Sequence, residues 1–129
     1  MSMIDVGKQV AFWRDGSVED WVVALDLIKK RHTRHGMFFA HLALEKLLKA
    51  LVVQNTGELA PRIHSLVRLA EMAGLAPDEK QLDTLAEMNA FNIEGRYPEL
   101  LTAPPSPAEA KELMGRAEEV KTWLTAQLR

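Results

Sequence analysis

Three side chains that can carry charge follow one stripe of a strongly apolar segment, FFAHLALEKLLKALV, at residues 38–52. At about 3.6 residues per helical turn, His41, Glu45 and Lys49 lie at i, i+4 and i+8, on one helix face. An imidazole, a carboxylate and an ammonium can together hold an anion or move a proton. An isolated buried charge is costly, so the stripe must either face solvent as an ordinary i,i+4 pair or be buried with partners. The sequence leaves both alternatives open.

A second constellation consists of Arg34 and His41, separated by six residues. An imidazole can take up a proton near neutral pH, and a guanidinium can bind a phosphate. On a continuous helix this separation places both on one face, about 10 Å apart. The surrounding run KKRHTRH could be an RNA- or partner-docking patch, although cations at helix ends in a solvated turn explain the same residues.

Other kinds of site receive no support from the sequence. There is no cysteine, which excludes disulfides, thiolate metal sites and a cysteine nucleophile. The four histidines do not follow a metal-binding spacing, and there is no glycine-rich phosphate loop or serine nucleophile motif. We therefore expect neither a metal nor a cofactor.

The elements that position these side chains are predicted to be helices. Ser17 and Asp20 are typical of a helix start, and the first helix then carries apolar residues at helical spacing: Val18, Trp21, Val22, Leu25 and Ile28. A break at residues 33–36 separates it from a second helix at 37–54. The pattern also allows a short helix around residues 4–13.

The second half of the chain continues the helical pattern. A short helix follows Pro61 and ends at Gly74, and a fourth begins at residues 77–79. Its inward residues are predicted to be Leu82, Leu85, Ala86 and either Met88 or Asn89. After the proline-rich TAPPSP, Ser106 caps the last helix with Glu109 at position N3. No segment alternates as a strand does, so we predict an all-α, antiparallel up-and-down bundle of four to five helices.

Length and composition favour one domain, residues 1–129, with an N-terminal segment at 1–16 and a core at 17–128. A chain of 129 residues that is 47% hydrophobic can bury one core. Its formal net charge of -2 does not favour a surface built for polyanions. There is no apolar leader and no run of about 18 apolar residues, so we expect a cytoplasmic protein without membrane association.

Three short motifs occur in order along this helical pattern: AxEKxxKAL at residues 43–51, HSL at 64–66 and RYP at 96–98. Together they resemble the signature of HEPN domains, and the resemblance covers roughly residues 18–128. The family often carries glutamine where this chain has His41.

The resemblance implies a helical bundle that often forms a homodimer and is paired with a minimal nucleotidyltransferase. Such proteins are regarded as nucleotide- or substrate-binding halves of these pairs, some of them toxin–antitoxin pairs. A subset are metal-independent endoribonuclease toxins marked by an arginine, a polar residue and a later histidine. Arg34, His35 and His41 match that motif, so the resemblance also allows RNA cleavage, with His41 as the base for the 2′-hydroxyl proton and Arg34 as the cation for the phosphate. Carried over to this sequence, the resemblance implies a polar ligand-binding cluster: Glu45, Lys49, His64, Arg96 and Tyr97. An arginine could bind phosphate and a tyrosine could stack on a base. The cluster could equally be a structural ion-pair network.

Overall fold

A computed structural model describes residues 4–94 and 105–129 and contains five α-helices. Their bounds are α1 Val6–Lys29, α2 Thr33–Thr56, α3 Leu66–Met72, α4 Glu79–Glu94 and α5 Pro107–Gln127. No strand occurs within the two described ranges. The prediction of an all-α bundle is confirmed.

Helix α2 is the centre of the bundle and packs against each of the other four helices. Of its 24 residues, 14 are buried, and they occupy most of its circumference. A helix that is apolar nearly all round is stable in water only when other elements surround it. The other four helices therefore cover the apolar segment that carries the charged stripe.

Helix α1 begins earlier than the sequence pattern predicted. Asp5 is its N-cap, and the carboxylate accepts a hydrogen bond from the backbone N–H of Lys8 at 3.0 Å. The predicted cap at Ser17 is wrong, because this residue lies buried inside the helix and its hydroxyl donates to the carbonyl of Ala43 on α2 at 2.6 Å. Asp20 pairs with Lys46 of α2 at 2.8 Å. Ser17 and Asp20 thus hold α1 against α2, and α1 is one continuous helix from Val6 to Lys29.

The break between α1 and α2 lies at residues 30–32 and not at the predicted 33–36. Arg31 has φ 65, in the left-handed region. Its N–H donates to the carbonyl of Ile28 at 3.0 Å, and the N–H of His32 donates to that of Leu27 at 2.8 Å. These two bonds form a Schellman motif, in which glycine usually occupies the left-handed position. At the end of α3 the same motif has Gly74, with φ 72, as the sequence predicted.

The starts of α4 and α5 agree with the prediction, whereas α3 begins at Leu66, with Ser65 as its N-cap, and not directly after Pro61. The hydroxyl of Ser106 accepts from the N–H of Glu109 at 3.1 Å, and the Glu109 carboxylate accepts from the N–H of Ser106 at 3.0 Å. This capping box is confirmed. In α4, Leu85 and Met88 are buried as predicted, whereas Leu82 and Ala86 are exposed. Thr84 is buried instead of them, because α4 presents a narrow face that follows positions 84, 85, 88 and 91.

Candidate functional site

The charged stripe of α2 is buried. His41 is 0% exposed, Glu45 4% and Lys49 6%. Of the two alternatives that the sequence left open, the solvent-facing pair is therefore wrong and the buried, partnered stripe is correct. The reason is that α1, α3, α4 and α5 cover most of the circumference of α2. Of its middle turns, the Lys46 side chain keeps 30% of its surface exposed.

Glu45 is the centre of the contacts within this stripe. Its Oε2 accepts from Lys49 Nζ at 3.1 Å. Its Oε1 lies 3.1 Å from Nδ1 of His64, in the connection before α3, and 3.8 Å from Nδ1 of His41. One carboxylate thus faces three nitrogen-bearing side chains, and this arrangement offsets the cost of burying the negative charge.

Two further contacts complete what we name the Glu45 cluster: Trp13, His41, Glu45, Lys49 and His64. The Nε2 of His41 lies 3.2 Å from the backbone carbonyl of His64, so this nitrogen carries a proton and donates. Lys49 Nζ lies 5.2 Å from the centre of the Trp13 ring, a cation–π distance. The cluster therefore joins α1, α2 and the connection that precedes α3.

His64 is the member of the cluster that reaches the surface. Its side chain is 42% exposed, against 7% for Lys49 and 6% for Glu45. Beside it is a shallow depression of about 210 Å³, lined by His64, Ser65, Asn89 and Asn92. The Glu45 carboxylate accepts from Nδ1–H of His64, which leaves Nε2 to accept a hydrogen bond or a proton. An imidazole oriented by a carboxylate in this way can bind a polar ligand or act as a base.

The two asparagines of this depression come from α4. Asn89 Oδ1 accepts from the N–H of Leu66 at 2.8 Å, and so fixes the start of α3 against α4. Asn92 Oδ1 is buried and has no hydrogen-bond partner among the residues that the structure describes.

The structure does not bring the other predicted site residues together with His64 at the surface in the part of the chain that it describes. Arg96 and Tyr97 fall outside the described residues. Arg34 and His41 both lie on α2, but Arg34 is half-buried near the helix start, whereas His41 is fully buried. A polynucleotide could reach the His41 ring only if the helices around it moved.

Four residues of this region were not predicted as site residues from the sequence: Trp13, Ser65, Asn89 and Asn92. Trp13 stands four residues before Ser17, and both prove to lie on α1 faces that meet α2, so a correctly placed helix start would have indicated it. Nothing in the sequence marks the two asparagines as site residues, because their role depends on which residues of the connection before α3 pack beside α4.

Neither a metal centre nor a membrane span is found in the part of the chain that the structure describes. Within residues 4–94 and 105–129, no group of three or more His, Asp or Glu side chains has the arrangement of a metal site. None of the helices in these ranges is both long and apolar enough to cross a bilayer.

Comparison with known proteins gives a family match and two structural neighbours. The family model for the HEPN domain matches residues 10–127. The crystal structure of TT1696 from Thermus thermophilus is similar with a TM-score of 0.78 and 20% identity, over 93% of this chain and 98% of that one. The structure of ST0689, an archaeal HEPN homologue, is similar with a TM-score of 0.72 and 22% identity, over the same shares. At these identities the likeness concerns the fold. No curated protein matches the chain.

Proposed function

Because this chain belongs to the HEPN domain family, we propose that it is a nucleotide- or substrate-binding module that acts with a minimal nucleotidyltransferase partner. The observation that carries the proposal is the Glu45 cluster: a buried ionic network in which one imidazole, that of His64, reaches a polar depression at the surface.

The groups proposed to contact the ligand are those whose hydrogen-bonding capacity the Glu45 cluster leaves available. The charge of Lys49 is taken up by Glu45 at 3.1 Å, so Lys49 supports the site and does not touch the ligand. His64, Ser65 and the two asparagines offer hydrogen bonds to a ligand in the depression. Arg96 and Tyr97, which follow α4 by two and three residues, are proposed to add a phosphate contact and a stacking surface.

The partner and the biological setting belong to the same proposal. HEPN domains often dimerise, and we propose that this one pairs with a second copy and with a small nucleotidyltransferase, as part of a toxin–antitoxin system. Family membership supports this assignment. The ligand site can be tested without the partner.

Binding of nucleotides to the purified protein tests the proposal. Titration calorimetry with ATP, GTP and UTP should detect binding of at least one of them by the wild type. His64→Ala and Arg96→Ala should each raise its Kd by about tenfold or more, because each removes a polar or charge-assisted contact. Lys111→Ala, which removes an exposed cation on α5, is the matched control and should bind as the wild type does. Unchanged affinity in both site variants would refute the proposed site.

A metal-independent endoribonuclease is the second candidate function. The observation in its favour is that Glu45 orients the half-exposed ring of His64, as a general base for a 2′-hydroxyl requires. The test is cleavage of RNA in EDTA by the wild type and by His64→Ala, Arg34→Ala and His41→Ala. Cleavage that survives chelation and is lost in the folded His64→Ala variant would assign the base to His64. Loss in Arg34→Ala and His41→Ala alone would assign catalysis to the pair predicted from the sequence.

A further inference from the structure

A pocket of about 380 Å³ lies where α1 and α2 meet, and it shares no residue with the depression beside His64. Its volume is within the range of sites for small ligands. Five of its lining residues belong to α1 and one to α2: Phe12, Trp13, Asp15, Gly16, Glu19 and Lys46. We name it the α1–α2 pocket. It combines two aromatic rings with three charged side chains, so it suits a ligand that has both a flat part and a charge.

Gly16 provides the open space of the α1–α2 pocket. Phe12, Gly16 and Glu19 lie at i, i+4 and i+7, on one face of α1. The missing side chain at Gly16 leaves room between the other two, and the Lys46 side chain extends into part of it. A β-carbon at Gly16 would lie 3.1 Å from Cδ of Lys46. From this position the Lys46 ammonium reaches the Asp20 carboxylate at 2.8 Å, so its charge is neutralised within the protein.

The charge that remains available in the pocket is negative. Lys46 is paired with Asp20, and Asp15 is paired with its neighbour Arg14 at 3.2 Å. Glu19 is exposed, and its side chain forms no ion pair or hydrogen bond with any residue that the structure describes. A ligand in the pocket therefore meets one uncompensated carboxylate, which favours a cation that can donate hydrogen bonds.

The aromatic side chains favour a flat cation over a compact one. Phe12 is 67% exposed, and its ring meets that of Trp13 edge to face, with 5.1 Å between the ring centroids. Lys49 already lies over the Trp13 ring at 5.2 Å, which leaves Phe12 as the ring on which a ligand can stack. A guanidinium can stack on an aromatic ring and bind a carboxylate with its planar fork, whereas an ammonium is a point charge. The pocket therefore suits a guanidinium.

The surface beside the pocket favours a polypeptide over a free small molecule. Val23 follows Glu19 by four residues on the same face of α1 and is 39% exposed. From Phe12 to Val23 this face is about 16 Å long, so a small guanidine in the pocket would leave Val23 uncovered. A polypeptide that places an arginine in the pocket has neighbouring side chains that can cover Val23.

We propose that the α1–α2 pocket binds an arginine side chain of a partner polypeptide. The guanidinium stacks on Phe12 and pairs with the Glu19 carboxylate, and an apolar neighbour of that arginine packs on Val23. The proposal requires neither nucleotide binding beside His64 nor a second copy of this chain. Its failure and that of the proposed function can therefore be distinguished.

Nuclear magnetic resonance titration with the peptide acetyl-Leu-Arg-Leu-amide tests the proposal. Trp13 lines the pocket, and its indole N–H signal is assigned by its disappearance in Trp13→Phe. This signal should shift and saturate, whereas those of Trp21 and Trp123 should not move. Glu19→Gln should raise the Kd of the peptide by about fivefold, because it removes the charge that pairs with the guanidinium. Glu71→Gln, which neutralises an exposed carboxylate on α3, is the matched control and should bind as the wild type does.

Changes in the ligand give a second, independent measurement. A peptide with citrulline in place of arginine has nearly the same shape without the charge and should not shift the Trp13 signal. Agmatine, a guanidine without peptide groups, should bind more weakly than the arginine peptide because it does not cover Val23. A Trp13 signal that ignores the arginine peptide, or that moves equally with the citrulline peptide, overturns the proposal. Equal affinity of wild type and Glu19→Gln also overturns it, and agmatine binding as tight as that of the peptide overturns the assignment to a polypeptide.

Discussion

Glu45 is the residue on which the buried polar groups of this protein depend. Its carboxylate contacts Lys49 and His64 at 3.1 Å each, in surroundings that leave Glu45 only 4% exposed. Charges in such a place are stable when paired and costly when alone. The sequence could show that Glu45 and Lys49 share a helix face, but it could not show that the face is buried, because that depends on the packing of four other helices.

We expect Glu45→Ala to lower the free energy of unfolding by about 3–5 kcal/mol, because it leaves the Lys49 ammonium buried without an anion. The double variant Glu45→Ala with Lys49→Met should lose less than the single variant does, since no uncompensated charge remains. Urea unfolding followed by circular dichroism measures both, and a double-mutant cycle gives the coupling. A loss below about 1 kcal/mol in Glu45→Ala would mean that the pair is solvated.

Arg31 is a second residue whose role is visible only in the structure. It occupies the left-handed position of the Schellman motif with φ 65, where a β-carbon is unfavourable. We expect Arg31→Gly to raise the free energy of unfolding by about 1 kcal/mol. The neighbouring Lys30→Gly, at φ -85, should lower it by a similar amount, because it adds backbone freedom without relieving strain. Thermal unfolding of the two variants distinguishes them by sign.

At the scale of the elements, the pairing of α1 with α2 depends on a close approach at Gly36. A β-carbon placed there would lie 2.6 Å from Cδ1 and 3.1 Å from the backbone nitrogen of Ile28. The sequence pattern predicted a helix break at this glycine, because glycine is rare inside helices. Its actual role is to let two helix backbones come together just beyond a tight connection, and this depends on which residue of α1 lies opposite.

We expect Gly36→Ala to destabilise the protein by about 1–3 kcal/mol, because the clash with Ile28 outweighs the gain in helix propensity. Gly115→Ala in α5 is the matched control: none of the described residues comes within 4 Å of the position that its methyl group would take, so helix propensity alone acts. That variant should gain up to about 1 kcal/mol. Opposite signs in urea unfolding support the close approach, and stabilisation by both would contradict it.

The capping box of α5 should make the free energy of unfolding depend on pH. Hydrogen bonding to the backbone and side chain of Ser106 holds the pKa of Glu109 below its ordinary value. When folding lowers the pKa of a carboxyl group, the group stabilises the fold at pH values above its pKa in the unfolded chain. This stabilisation is lost as the pH falls through its lower pKa in the folded protein. Glu109→Gln should therefore be less stable than the wild type at pH 7, and the difference should be smaller at about pH 3, which is below the ordinary carboxyl pKa. Thermal unfolding at both pH values measures this, and an equal difference at both would refute it.

At the scale of the whole molecule, one central helix is surrounded by four others. Helix α2 contacts α1, α3, α4 and α5, whereas α1 depends mainly on α2. Local opening should therefore begin at the periphery and reach α2 last. The position of α2 also explains why the predicted helix starts could be wrong by several residues while the predicted fold class was right, since the central apolar segment decides the architecture.

Hydrogen exchange should reflect this organisation. We expect the amides of residues 43–53 in α2 to exchange most slowly, at a rate set by global unfolding, because their opening exposes the largest buried surface. Amides in the first turns of α1, residues 9–12, should exchange by local fraying and be less protected by about tenfold or more. Exchange followed by mass spectrometry with peptide resolution measures both. Stronger protection in α5 than in α2 would contradict a central role for α2.

Local chemistry in the sequence was sufficient to determine much of this protein. The apolar periodicity indicates an all-α bundle, the Ser106 capping box indicates the start of α5, and Gly74 indicates the end of α3, because propensity and capping act within a few residues of the chain. The same periodicity places His41, Glu45 and Lys49 on one face of α2.

Tertiary structure alone decided what those faces meet. Burial of the Glu45 stripe, its contact with His64, the use of Ser17 as a bond to α2 and the exposure of Val22 all depend on residues distant in the chain. A helical period shows which side chains share a side of a helix, but an apolar side covered by the bundle and one left exposed have the same pattern. Packing distinguishes them, because burial is a property of the neighbours that surround a face and not of the residues that form it.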